Sequence, residues 1–193
     1  MKHLLIAIGL SALLVACGDS DMVGKANSGD PQAQFDLAMA YREGKDIQKD
    51  LQSAFKWLKE AANGGHVEAQ YELAKDYAVE AEGNRQTAKL GVGTAIKYFA
   101  RDYGFAVKWF HEAAQQGHAG AQLELAKLYF AGWGIKQNDE KAKEWAEKAK
   151  AQGNKDADKV LADIAAGNRP ETGFGKVRGN PVGSGTGKAG IEF

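Results

Sequence analysis

The sequence predicts an all-α fold, a solenoid of three stacked helix hairpins closed by one capping helix, and three observations predict it. The spacing Ala-x-x-x-Leu-Ala-x-x-Tyr occurs three times, ending at Tyr41, Tyr77 and Tyr129. A second pattern, Trp-x-x-x-Ala, follows each one at Trp57, Trp109 and Trp145, with apolar residues again recurring at helical spacing. A glycine then closes each unit at Gly65, Gly117 and Gly153. An isolated hairpin cannot bury Tyr and Trp by itself, so neighbouring units must stack, and about three are needed for a stable array.

Of the 193 residues 44% are hydrophobic, enough for a sizeable core in one domain with tails. The 25 Lys and Arg balance 25 Asp and Glu, which leaves no basic field to draw the chain to nucleic acid. The single cysteine, Cys17, has no partner for an internal disulfide and no companion for a metal site.

At the N-terminus Lys2 and His3 precede an uncharged apolar run from Leu4 to Ala16. The run is short for a spanning helix, which needs roughly 20 apolar residues, and has the proportions of a secretory signal. It ends Leu14, Val15, Ala16, Cys17, which resembles a bacterial lipobox. The resemblance implies a signal peptide over residues 1–16 and acyl chains such as palmitate on Cys17. Several such chains hold a protein at a membrane, because each buried methylene contributes about 0.8 kcal/mol. An incidental buried cysteine is the alternative. Gly18 stands where an aspartate would imply inner-membrane retention, so the resemblance points to the outer membrane, facing the periplasm. Residues 17–29 are small and polar and read as a flexible tether.

The repeat domain is expected over residues 30–166. Asp30 and Pro31 suit an N-cap and a first helical residue. Ala33, Leu37, Ala38 and Tyr41 share a face of the first helix, and Gly44 stops it. Asp50 can cap a second helix, in which Leu51, Ala54, Trp57, Leu58 and Ala61 share a face, and Gly64 and Gly65 end it. Ala33 and Ala69 are 36 residues apart, as are Ala121 and Ala157, whereas Ala69 and Ala121 are 52 apart. Unit two therefore carries 16 extra residues, within about 79–101, since Asp102 onward is again in register with Asp50. Thr94 is a candidate cap there, for a short extra helix or for an extension of the helix that follows. The insertion reads either as a binding loop or as a tolerated surface excursion. Beyond Gly153 only one helix is expected, with Ala157, Leu161, Ala162 and Ile164 inward, to cap the array. Residues 167–193 are rich in glycine and read as disordered.

The combined pattern, with a Gly-containing loop and an Asp or Asn cap between the two helices, resembles the Sel1-like repeat family, related to tetratricopeptide arrays. The resemblance covers residues 30–166. It implies a right-handed α/α solenoid whose first helices line a concave surface, and a protein or peptide partner in the cell envelope bound on that surface. On the helical wheel a second sector lies away from Ala33 and Leu37. It contributes Phe35, Met39 and Arg42 in unit one, Tyr71 and Lys75 in unit two, and Leu123, Lys127 and Phe130 in unit three. These eight are the candidate partner-binding residues, since aromatic, methionine and long basic side chains suit protein recognition. The alternative is that Phe35, Tyr71 and Leu123 pack between helices. Trp57, Trp109 and Trp145 are assigned to the core, each contributing on the order of 2 to 3 kcal/mol by burial.

Candidate chemistry is sparse. His111 and Glu112 resemble the start of His-Glu-x-x-His, but Gln115 stands where the second zinc ligand belongs, and His111 reads as a surface residue. His66 and His118 each follow a closing glycine and read as turn residues. The glycines and Lys188 over residues 183–188 miss the first glycine and the hydroxyl of a phosphate loop. No cofactor, metal or catalytic residue is expected. The functions implied are a lipid-anchored envelope adaptor, an immunity protein that neutralises a secreted toxic effector in the periplasm, or an envelope assembly factor.

Overall fold

A computed structural model describes residues 19–44, 46–89 and 93–170, which hold eight helices. They are α1 (Asp19–Asn27), α2 (Pro31–Glu43), α3 (Leu51–Asn63), α4 (Val67–Lys89), α5 (Gly93–Gln115), α6 (Ala119–Ala131), α7 (Asp139–Ala151) and α8 (Ala157–Ala166). Each packs on its neighbour in sequence, and α8 also touches α6. The architecture is an α/α solenoid with two layers. One holds the first helices α2, α4, α6 and α8, and the other holds the second helices α1, α3, α5 and α7.

The caps follow local chemistry. The Asp30 carboxylate accepts from the Ala33 backbone N–H at 2.8 Å, with Pro31 as the first residue of α2. Asp50 accepts from Gln52 and Ser53, and Asn138 accepts from Lys141. Gly44 and Gly132 end α2 and α6 in the left-handed conformation that L side chains avoid. The hairpin loops of units one and three close alike, the Asp50 and Asn138 N–H groups each donating to the Tyr41 and Tyr129 carbonyls at 3.0 Å.

A side-chain ladder joins successive units. Gln34, Gln70 and Gln122 are buried, and each donates its amide at 3.2 Å to the carbonyl of Ala26, Ala62 or Ala114 near the end of the preceding second helix. A buried amide that satisfies a helix-end carbonyl fixes the offset between units, since sliding would leave both groups unpaired. The core runs along the array through Leu58, Leu73, Val107, Phe110 and Leu125, all buried.

Three expectations are corrected. The tether over residues 17–29 holds α1, whose Ala26 is buried with Ala33 and Leu37 while Met22 packs alongside. The ladder makes α1 the second helix of a half-unit, because Ala26 accepts from Gln34 as Ala62 does from Gln70. Among its described residues the insertion is neither a loop nor a separate helix. It lengthens both arms of the second hairpin, so that α4 and α5 run for 23 residues each where α2 and α3 have 13. The stretch around Thr94 is an N-terminal extension of the helix that follows, one of the two readings the sequence allows, since α5 runs Gly93–Gln115. In α8 the buried residues are Ala157 and Val160, and Ala162 faces solvent.

Extension leaves Asp102 in mid-helix at the position where Asp50 and Asn138 start theirs. It is buried, accepts from Asn84 of α4 at 2.9 Å and pairs with Arg101 at 2.8 Å. A residue that caps a helix in the other units here ties the two long arms together.

Candidate partner-binding face

The first-helix layer presents a row of polar and aromatic side chains that cross from unit to unit. Arg42 of α2 reaches α4, donating to Glu72 at 3.0 Å and to Asp76 at 2.6 Å. Lys75 completes the cluster on Glu72 at 2.6 Å. That hydrogen bond raises the Lys75 pKa, while burial raises that of the Asp76 carboxyl against the pull of Arg42. In unit three Lys127 pairs with Glu124 at 2.7 Å. All these groups are partly exposed, so the pairs contribute little to stability, on the order of 0 to 1 kcal/mol each. Their effect is to hold the charged heads in fixed places on the surface.

The turn histidines organise the aromatic part. His66 and His118 each accept an N–H through Nδ1, from Ala69 and Ala121, and so cap α4 and α6. Each ring stacks on an aromatic of the preceding unit, His66 on Phe35 at 4.6 Å and His118 on Tyr71 at 4.2 Å. Their Nε2 atoms meet Gln32 and Glu68, also of the preceding unit, at 3.0 and 3.1 Å. Phe35 and Tyr71 thus act largely between units.

Of the eight sequence-predicted residues, Arg42, Tyr71, Lys75 and Lys127 reach the surface of this layer. Met39 is half-buried against the core. Leu123 is a correction, because it is 3% exposed and packs with Ala126, Ala146, Ala149 and Val160. Its helix α6 has neighbours on several sides, and nine of its residues are buried. Phe130 is buried too, under the Arg169 guanidinium 5.0 Å from its ring. Lys127, Phe130, Lys159, Asp163 and Arg169 line a cleft of about 580 Å³ between α6 and α8. Sequence reasoning missed Arg169, although it is the one arginine near the end of the capping helix. Cys17 lies outside the described residues.

Three further side chains differ from expectation. Trp57 and Trp145 are half-buried, with Lys56 and Lys148 over their rings at 5.6 and 4.1 Å, whereas Trp109 is buried. His111 is not on the surface. It is buried with its ring edge-on to Trp145 at 6.1 Å, and burial lowers its pKa from 6.5. Among the described residues no group of His, Cys, Asp and Glu could hold a metal ion, and no helix is long and apolar enough to cross a membrane.

A family model for the Sel1 repeat matches residues 31–66, 90–118 and 119–154, which is more than half of the chain. The chain belongs to the Sel1 repeat family. The middle match begins at residue 90, after the long α4, so the extended arm is the least regular part of the array. A crystallised Sel1 repeat protein from Oxalobacter formigenes is 35% identical, with 75% of this chain and 96% of that one covered and a TM-score of 0.61. An uncharacterized protein of Neisseria meningitidis serogroup B, NMB1327, is 29% identical over 139 residues, which cover 72% of this chain. The matched region spans 25% of that relative's length. The protective antigen c5321 of uropathogenic Escherichia coli strains, which displays an SLR fold, is 27% identical over 77% of this chain and 36% of its own, with a TM-score of 0.39. Sel1 repeats are scaffolds for protein–protein contacts, generally without enzymatic activity.

Proposed function

We propose that this Sel1 repeat protein is a lipid-anchored adaptor of the bacterial cell envelope, without chemistry of its own, that binds a protein or peptide along its first-helix layer. The observation that carries the reading is the ordered row from the Arg42, Glu72, Lys75 and Asp76 cluster to the cleft beside Lys127 and Arg169. Held charges beside aromatic surface favour a specific polypeptide over a nonspecific ligand. The anchor rests on the apolar run before Cys17, and the outer-membrane, periplasm-facing position rests on Gly18 beside it.

Crosslinking in the native envelope tests both parts. A partner captured by the wild-type chain should be lost, or reduced about tenfold, when Lys75 and Lys127 are both changed to Glu. Undiminished capture of every partner argues against the first-helix face. Cys17→Ser should leave the protein unprocessed or release it from membranes; normal cleavage with a membrane pellet would overturn the anchor.

A further inference from the structure

At the loop edge of the array two joints are filled, and the joint between units one and two leaves apolar side chains exposed. In unit three the Trp133 ring packs at a tilt against Tyr103, a second-helix residue of unit two, with ring centroids 5.3 Å apart. Gly134 lies so close that an added Cβ would stand 2.4 Å from the Tyr103 carbonyl carbon. Ile135 is buried in the same cluster, and beneath this loop Tyr103 is 4% exposed and Val107 fully covered. One repeat further on, Arg169 occupies the place of Trp133 and Asp139 that of Tyr103, and these two form an ion pair. Aromatic meets aromatic at one joint, and cation meets anion at the next.

In unit two the loop has become the long arms of α4 and α5; Tyr77 of α4 meets the Phe55 ring edge-on at 5.9 Å, and no loop is seated over Leu51 among the described residues. The positions of Tyr103 and Val107 are there Leu51 and Phe55, and they are 61% and 38% exposed. Val79, at the base of the extended arm, is 72% exposed beside them. They line a groove of about 560 Å³ whose rim holds Arg42, already paired with Asp76, and Glu80. In unit three the same two positions are the polar Asp139 and Lys143. Apolar residues at this joint therefore match a covering segment that the described residues do not place there.

We propose that this groove is a docking site for a loop of a partner protein carrying an aromatic–glycine–aliphatic turn with a basic residue beside it. The template is the chain's own loop Trp133, Gly134, Ile135 and Lys136, seated on the equivalent surface one unit along. The aromatic covers Leu51, glycine permits the close approach to the start of α3, the aliphatic residue meets Phe55 and Val79, and the basic residue faces Glu80. Apolar anchors in a pocket with a charged rim are the usual arrangement of a binding hot spot. The site adjoins the charged cluster described above, with Arg42 and Asp76 on its rim, but its apolar anchors Leu51, Phe55 and Val79 are distinct from Lys75 and Lys127, so variants of the two sets fail separately.

The probe is the heptapeptide of residues 132–138, Gly-Trp-Gly-Ile-Lys-Gln-Asn, titrated into the labelled full chain up to millimolar concentration and followed by NMR. Shifts are expected at Leu51, Phe55 and Val79, with binding weakened at least tenfold when Trp133 of the peptide is replaced by Ala. The double variant Leu51→Asp, Val79→Asp changes only exposed side chains and should abolish the shifts while the helical circular dichroism is kept. In a second protein, residues 78–101 are replaced by residues 130–137 of the chain, which restores a regular loop; the restored loop should occupy the groove and exclude the peptide. No shift at millimolar peptide, shifts that survive the double variant, or full peptide binding by the loop-restored protein would each overturn the proposal.

Discussion

Tryptophan at one repeat position does different amounts of structural work in the three units. Trp109 is buried between units one and three, whereas Trp57 and Trp145 keep one side toward solvent under a lysine. Trp109→Ala should therefore cost about 3 to 5 kcal/mol, and Trp57→Ala or Trp145→Ala roughly half of that, as read from urea denaturation midpoints. Equal losses would show that position in the repeat, not burial, sets the cost. His111 gives a pH dependence with a definite sign. Its pKa is lowered in the folded chain, so the unfolded chain takes up a proton first as pH falls below 6.5. The contribution of the neutral ring is present above that pH and is lost on acidification through the folded pKa. His111→Gln should flatten the fall in melting temperature below pH 6.5, and an unchanged slope would refute the role of this residue.

At the scale of the element, the two long arms and the Gly134 contact decide what the loop edge can tolerate. Gly117 and Gly134 both adopt positive φ, at 91° and 70°. A Cβ at Gly117 meets nothing, while one at Gly134 collides with the Tyr103 backbone. Gly117→Ala should cost about 1 to 2 kcal/mol from left-handed strain alone. Gly134→Ala should cost roughly 1 to 3 kcal/mol more, because the joint between units two and three must open. Thermal melts of the two variants compare them directly. Element starts were legible where an Asp or Asn precedes a periodic run, as at Asp30, Asp50 and Asn138. At Asp102, in register with Asp50, the residue stands in mid-helix instead, because two arms that pair with each other continue through that position. Helix α1 was missed because it has few apolar residues, although its end, Ala-Asn-x-Gly at Ala26 and Gly29, repeats that at Ala62 and Gly65. On the candidate site a helical wheel separated two sectors of each first helix correctly but assumed that the second is open. Arg42 and Lys75 satisfy that assumption, since one layer faces outward there. Leu123 does not, because α8 and α7 close over it.

For the whole molecule, the two ends of the array are unlike. Among the described residues it begins with a second helix, α1, and ends with a first helix, α8. Val160 and Ala157 cover Ala126, Ala146 and Ala149, with Leu161 and Ile164 packed at the margin. Ending the chain after Gly153 exposes that seat. With about 3 kcal/mol lost from these side chains and roughly 2 to 4 °C per kcal/mol for a chain of this size, the melting temperature should drop by about 10 °C. A shift within error would mean that unit three needs no cover.

The glutamine ladder has a consequence for how such a molecule can change over generations. Gln34, Gln70 and Gln122 and the closing glycines all lie at one end of the hairpins, while the 16 extra residues lie at the other. Pitch and arm length are therefore separate variables, as the spine of a comb is separate from its teeth. New surface can be grown or trimmed on a single unit, turn by turn, without retuning how any unit meets the next.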